Sequence, residues 1–376
     1  MARVAVQLTN FTGGELSPRL DGRNDLAKYG SGCKTLENFV VFPHGSAARR
    51  SGTQYVAEVK DSSKKTRLIP FEFSTTQTYM LEFGNLYIRF YKDDGKILES
   101  DKTISGATKA NPVVITATGH SYSNGDEISI TSVAGMTELN NKRYKVANKT
   151  TNTFEITDID GTNIDGTGFT AYTSGGVANR VYEITTPYLE AELFDIKFAQ
   201  SADVMYITHP NHEVEKLSRS DHTSWTLTDV DFDDGPYLDD NITATTISTS
   251  AHTVGAGRTL TASAITGIND DTGFQTTDVG RLIRFRDGYG KVTARTDTLN
   301  VTIEILEDMG SSSSSTDWSL GSFSDTTGHP SCVTFFEQRL VFAATLSQPQ
   351  TIFFSKSGDY ENMNENRGGT IADDDA

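Results

Sequence analysis

Short runs of alternating apolar and polar residues, each cut off by Gly, Asn, Asp or Pro, recur along most of the chain. Arg67-Leu68-Ile69-Pro70-Phe71-Glu72-Phe73 is followed by Thr78-Tyr79-Met80-Leu81-Glu82-Phe83. After the turn Gly84-Asn85 comes Leu86-Tyr87-Ile88-Arg89-Phe90-Tyr91. Side chains in a strand alternate faces every two residues, so such runs suit half-buried strands and do not supply the 3.6-residue stripe of a helix. Long helical periodicities are hard to find, whereas the 14 tyrosines and 20 phenylalanines favour pleated surfaces. The chain is therefore expected to be all-β. A single short helical turn is predicted near the start, at Asp25-Leu26-Ala27-Lys28-Tyr29-Gly30, ended by its glycine.

The runs group into meanders. In the first, the turn Asp93-Asp94-Gly95 leads into a fourth short strand, Lys96-Ile97-Leu98. A second meander comprises Leu193 to Gln200, Val204 to Thr208, Glu215 to Arg219 and Trp225 to Leu227. A third comprises Cys332 to Phe336, Arg339 to Ala343 and Thr351 to Ser355. Antiparallel meanders are the unit of propeller blades, so a propeller-like body is expected. Two Thr/Ser/Asn/Gly-rich stretches interrupt the series and read as small β-domains inserted in loops, where extra length is thermodynamically cheap. The expected organisation is an irregular docking segment over 1–60, body over 61–110, an inserted β-barrel over 111–180, body over 181–239, a second inserted β-domain over 240–325, and body over 326–376.

A chain of 376 residues can bury sizeable cores without disulfides or metals. Its two cysteines, Cys33 and Cys332, lie far apart in sequence and outside any C-x-x-C spacing. Two unrelated thiols are expected, with one long-range disulfide as the alternative. The opening MARVAVQLTNF lacks the apolar run of a signal peptide, and no stretch of eighteen apolar residues suggests a membrane span. A net charge of −17 disfavours a reader of duplex DNA, although an acidic lining would let DNA slide past without sticking.

Candidate sites are few. His209-Pro210-Asn211-His212-Glu213 invites a metal reading, but spacing of i, i+3 suits a helix rather than a Pro-containing turn, and no third ligand is evident. A polar loop is expected there. Asp158 to Gly166 alternates oxygen donors with glycines, yet its glycine falls too early for an EF-hand and no glutamate sits at the twelfth position, so plain turns are expected. Asp233-Asp234 and Asp239-Asp240 are adjacent carboxylates without the aromatic cleft that glycoside cleavage needs. There is no G-x-S-x-G, P-loop or H-E-x-x-H. Arg49-Arg50 and Lys64-Lys65-Thr66-Arg67 are the dense bases, read as solvated charge, with docking to an acidic neighbour or a DNA phosphate contact as alternatives. The aromatic strand Leu86 to Tyr91 reads as core. No catalytic, cofactor-binding or metal-binding residue is assigned, and no cofactor is expected.

Several stretches carry a likeness. Phe11-Thr12-Gly13-Gly14-Glu15-Leu16-Ser17-Pro18-Arg19-Leu20, Asp25-Leu26, Tyr29, Gly45, Arg49-Arg50 and Gly52-Thr53 resemble the opening of the tail tubular, or nozzle, proteins of short-tailed bacteriophages. Phe198 to Pro210, Gly328 to Val333, Phe335 to Ala343 and Ser355 to Asn362 are similar to the same family. Members of that family usually run considerably further than Ala376. Within 111–180, His120, Asn124-Gly125-Asp126, Gly135-Met136, Leu139-Asn140, Tyr144 and Thr153-Phe154 resemble the first catalytic cysteine half-domain of ubiquitin-activating enzymes. The matching residues are turn and core positions without a nucleophile, so the resemblance implies that fold and none of the enzymology.

The phage resemblance implies a non-catalytic structural subunit of a homo-oligomeric ring, a hexamer being one such closure. It further implies contact with the adaptor (head-to-tail connector) and with other tail proteins or fibres, non-specific passage of phage DNA, and residence in the virion after synthesis in the host cytoplasm. The alternative reading is a tail adhesin whose inserts contact host surface glycans.

Overall fold

The computed structural model describes residues 7–74, 77–366, 372–373 and 375–376, and what the sequence suggests for residues 1–6 and for Asp374 lies outside them. The protein is all-β. Among the described residues the helical elements are short 3-10 turns, the longest being Ala27–Ser31, where a helical turn was expected. The chain divides into two compact units, Met1–Val56 and Ala57–Ala376.

In the first unit, Gly14–Glu15 pairs in parallel with Gly32–Cys33, and Phe39–Val41 forms a hairpin with Ala47–Arg49. Of its described residues only Gly45 is buried, while Phe39 and Val40 are each 50% exposed. Its described residues form strands but no core.

The second unit is built on three antiparallel sheets. The first contains Arg67–Ser74, Gln77–Gly84 and Tyr87–Lys92, joined by turns as the sequence suggests. Pro70 sits in its edge strand, where a missing N–H costs no ladder bond. The expected fourth strand at 96–98 is replaced. Gly95–Lys96 makes only a short pairing with Tyr87–Lys92, and Glu183–Thr185 supplies the outer strand, with Glu183 opposite Arg89. After Lys96 the chain leaves to build the first insert and returns to finish the sheet.

The second sheet runs Lys197–Ser201, Val204–His209, His212–Asp221 and Ser224–Asp229 in simple meander order, and the third runs Cys332–Phe336, Arg339–Ala343 and Ile352–Phe354. The three stack in series. Alternation places Met205, Ile207, Leu217 and Trp225 of the second sheet against Ile69, Phe71, Leu81 and Phe90 of the first. Its opposite face packs Tyr206 and Val214 against Leu340, Phe342 and Phe353 of the third. Trp225 is the anchor of the first contact, with ring centroids 4.8, 5.2 and 4.5 Å from Phe71, Tyr79 and Phe90. Burial on both faces explains why Val204–His209, in the middle of this sheet, reads as a nearly continuous hydrophobic run. Closure of these sheets into a propeller is not a feature of the described residues.

The first insert is a seven-stranded sheet from Lys102–Thr103 to Ser174–Arg180, curled round Ile115, Ile128, Tyr144, Phe154 and Ile156. It recruits Lys102–Thr103 and Gly106–Ala107, ahead of the expected start at 111. A six-stranded sheet between Ile247–Thr249 and Trp318–Leu320 encloses a further core around Phe274, Phe285, Ile303 and Trp318.

Candidate functional site

The two-residue turn Pro210-Asn211 joins the middle strands of the second sheet and makes His209 and His212 direct cross-strand partners. Spacing of i, i+3 therefore does bring the imidazoles together here, on a hairpin tip instead of a helix, with ring centroids 5.1 Å apart. Glu192, from the turn before the second sheet, supplies a third group. Its Oε2 lies 2.9 Å from His212 Nε2 and accepts the Leu189 N–H at 2.8 Å. One ligand atom from each of Glu192, His209 and His212 lies within 4.8 Å of the others, and no other such group of three occurs among the described residues. Sequence proximity had suggested Glu213, which instead lines a cleft with Asp231 and His329.

His209 is 2% exposed and its Nδ1 accepts the Asn211 N–H at 3.2 Å. Burial, partly opposed by Glu192, pulls its basicity below that of an ordinary imidazole and favours the neutral ring. Burial would raise the Glu192 carboxyl, but the Leu189 N–H and the His212 ring outweigh it and hold the group below the usual carboxylate range. The three side chains together are two imidazoles and an ionised carboxylate around one small space.

A second polar cluster fastens the first insert to the body. Arg89, on the outward face of the first sheet, donates from Nη1 to Glu127 Oε2 at 2.6 Å and from Nε to Glu183 Oε2 at 2.9 Å. Glu127 opens the long insert strand Glu127–Ala134 and also accepts Lys96 Nζ at 2.9 Å and Arg143 Nη1 at 2.8 Å. The Arg89 and Glu127 side chains are 1% and 2% exposed. Burial would raise Glu127, yet Arg89 and Lys96 together bring it below the ordinary carboxylate value. Beside it, Glu82 accepts the hydroxyls of Tyr87 and Tyr91.

Beyond this junction, the outward face of the first sheet leaves Leu68 60% and Met80 38% exposed. At the other end of the stack, the third sheet turns Phe336, Ile352 and Phe354 outward, 56%, 57% and 38% exposed. Charge is divided unevenly along the chain. Residues 1–56 hold seven Lys/Arg against four Asp/Glu, a net +3 that leaves −20 for residues 57–376.

The remaining sequence candidates fall into structural roles. Asp158 accepts the Thr162 N–H, and Asp165 accepts the N–H and hydroxyl of Thr167, so both carboxylates cap their own turns. Asp234 accepts the Tyr237 hydroxyl and Asp240 pairs with Arg284, both along a polar groove of about 420 Å³ that Arg286 and Glu307 also line. Asp233 joins residues 361–363 through its backbone. Arg50 donates to Asn38 Oδ1, Lys64 reaches Glu190, and Arg67 donates to the Leu193 and Ile196 carbonyls. Ile88 and Phe90 are core, as expected of the aromatic strand. Cys33 and Cys332 are free thiols. No helix among the described residues is long and apolar enough to cross a membrane.

Residues 110–182 match the family described as Ubiquitin-activating enzyme E1 FCCH domain, in agreement with the likeness read from the first insert. No curated protein matches the chain.

Proposed function

We propose that the chain is a structural subunit of a bacteriophage tail ring, a nozzle or tubular protein that forms part of the DNA-ejection conduit below the portal and adaptor. The observation that carries this reading is the open stack of sheets, whose first and last members keep apolar residues exposed on their outer faces. A stack that exposes Leu68 and Met80 at one end and Phe336, Ile352 and Phe354 at the other has two different surfaces to cover. Contacts between unlike surfaces of identical copies are heterologous, and they close into a ring when the rotation permits. The first unit, whose described residues form no core and whose net charge is positive, suits an arm that docks on an acidic neighbour or on the adaptor. The acidity of residues 57–376 suits a channel past which phosphates slide without adhering.

The test is particle mass by mass photometry, followed by class averages of any large species. A closed ring whose hole admits duplex DNA, dispersed to monomers by Leu68→Asp or Phe354→Asp, supports the conduit. A monodisperse monomer, together with binding of the full chain to host surface polysaccharide, overturns it in favour of a tail adhesin.

A further inference from the structure

We propose that Glu192, His209 and His212 form a binding site for a divalent transition-metal ion of the zinc type. The donor set decides the class of ion. Two imidazoles and one carboxylate suit zinc and its neighbours, whereas calcium and magnesium prefer oxygen alone. Geometry is close to what such an ion needs. Ligand bonds of about 2.0–2.1 Å at tetrahedral angles put donor atoms about 3.3 Å apart. His212 Nε2 and Glu192 Oε2 are 2.9 Å apart, and all three donors lie within 4.8 Å of one another. Small side-chain movements on a hairpin tip and a turn bring them into range.

The surroundings hold these groups for coordination. The Leu189 N–H fixes Glu192 Oε2 from behind, the role an outer-shell donor plays for a ligating carboxylate. The Tyr188 ring packs edge-on against His212 at 5.2 Å and tilted against His209 at 6.2 Å, walling the cluster on its inner side. Coordination through His209 Nε2 moves that ring's proton to Nδ1 and costs the long Asn211 contact of 3.2 Å. The His212 and Glu192 side chains remain 22% and 17% exposed, which leaves a path for the ion and a fourth position for water. The bound ion would clamp the second-sheet hairpin to the turn that carries Glu192, joining segments 17 residues apart in the chain. This inference is independent of the proposed ring.

The experiment uses the full chain without a histidine tag, stripped of metal and titrated with zinc chloride, then with cobalt chloride. One equivalent should bind. Cobalt should give the intense visible absorption of a four-coordinate nitrogen and oxygen site, and zinc should raise the melting temperature. His212→Ala and Glu192→Gln should each weaken binding at least about 100-fold, the upper end of the loss caused by removing an outer-shell partner. Glu213→Gln, adjacent in sequence but outside the cluster, should leave binding unchanged. Both cluster variants alter partly exposed side chains, and circular dichroism checks that they fold. Binding that is absent, or equally strong in wild type, His212→Ala and Glu192→Gln, overturns the proposal.

Discussion

Glu127→Gln is the sharpest test of how the first insert is held to the body. Glu127 is the shared acceptor for Arg89, Lys96 and Arg143, and three of these four side chains are almost wholly buried. A neutral amide keeps the shape but leaves Arg89 with only Glu183, and Lys96 without a counter-charge. Breaking a buried ion pair by removing one partner costs roughly 3–5 kcal/mol, because the surviving charge stays desolvated. At roughly 2–4 °C per kcal/mol for a cooperative unit of 150–250 residues, the transition containing the first sheet should fall by on the order of 10 °C. Differential scanning calorimetry at pH 7 reads it, with limited proteolysis at the 92–102 connection as a local probe. The sign with pH follows from Glu127 being held below its ordinary value. Its contribution is complete above the unfolded value of about 4.3 and is lost as pH falls through the folded one, so the gap between wild type and variant must close in acid. Replacing Arg89, Lys96 and Glu127 together with methionine should restore most of the loss, since a packed apolar junction carries no desolvation cost. A Glu127→Gln effect below about 1 kcal/mol, or a triple variant as unstable as the single one, would refute the account.

Other outcomes follow from the same structure. In an isolated fragment spanning 99–183, where Arg89 and Lys96 are gone, Glu127→Gln should change stability by less than about 1 kcal/mol in urea melts, the scale of an exposed pair. Trp225→Ala should cost about 3–5 kcal/mol and abolish near-ultraviolet dichroism from the aromatic cluster, because it empties the contact between the first two sheets. The Glu215 carboxyl is pushed up to about 7 by burial, then by Asp229 and Glu213. A raised carboxyl binds its proton more tightly in the folded state, so wild-type stability should fall as pH rises from about 4.3 towards 7. Glu215→Gln removes that penalty. It should be about 1–3 kcal/mol more stable than wild type at pH 8 and indistinguishable at pH 4, and equal melting curves at both values would count against a Glu215 carboxyl raised by burial.

Local pattern alone specified much of this protein. Strand periods placed Arg67–Ser74, Val204–His209, Cys332–Phe336 and Arg339–Ala343 within a residue or so, and Gly84-Asn85 marked the turn between Gln77–Gly84 and Tyr87–Lys92. The turn and core residues of the first insert were enough to assign its kind. These features are legible because period and turn chemistry act over a few neighbouring residues. What the tertiary structure decided depends on partners distant in the chain. Nothing in the letters near 183 says that Glu183–Thr185 completes a sheet begun at Arg67, because a short strand takes its place from the edge left open to it. Glu192 joins His209 and His212 only because a turn folds back on the hairpin tip, and i, i+3 spacing means one thing on a helix and another across a two-residue turn. Arg89 is set by alternation in the strand Tyr87–Lys92 on the face opposite Ile88 and Phe90. Its burial is set by an insert docking over that face and bringing Glu127 to meet it.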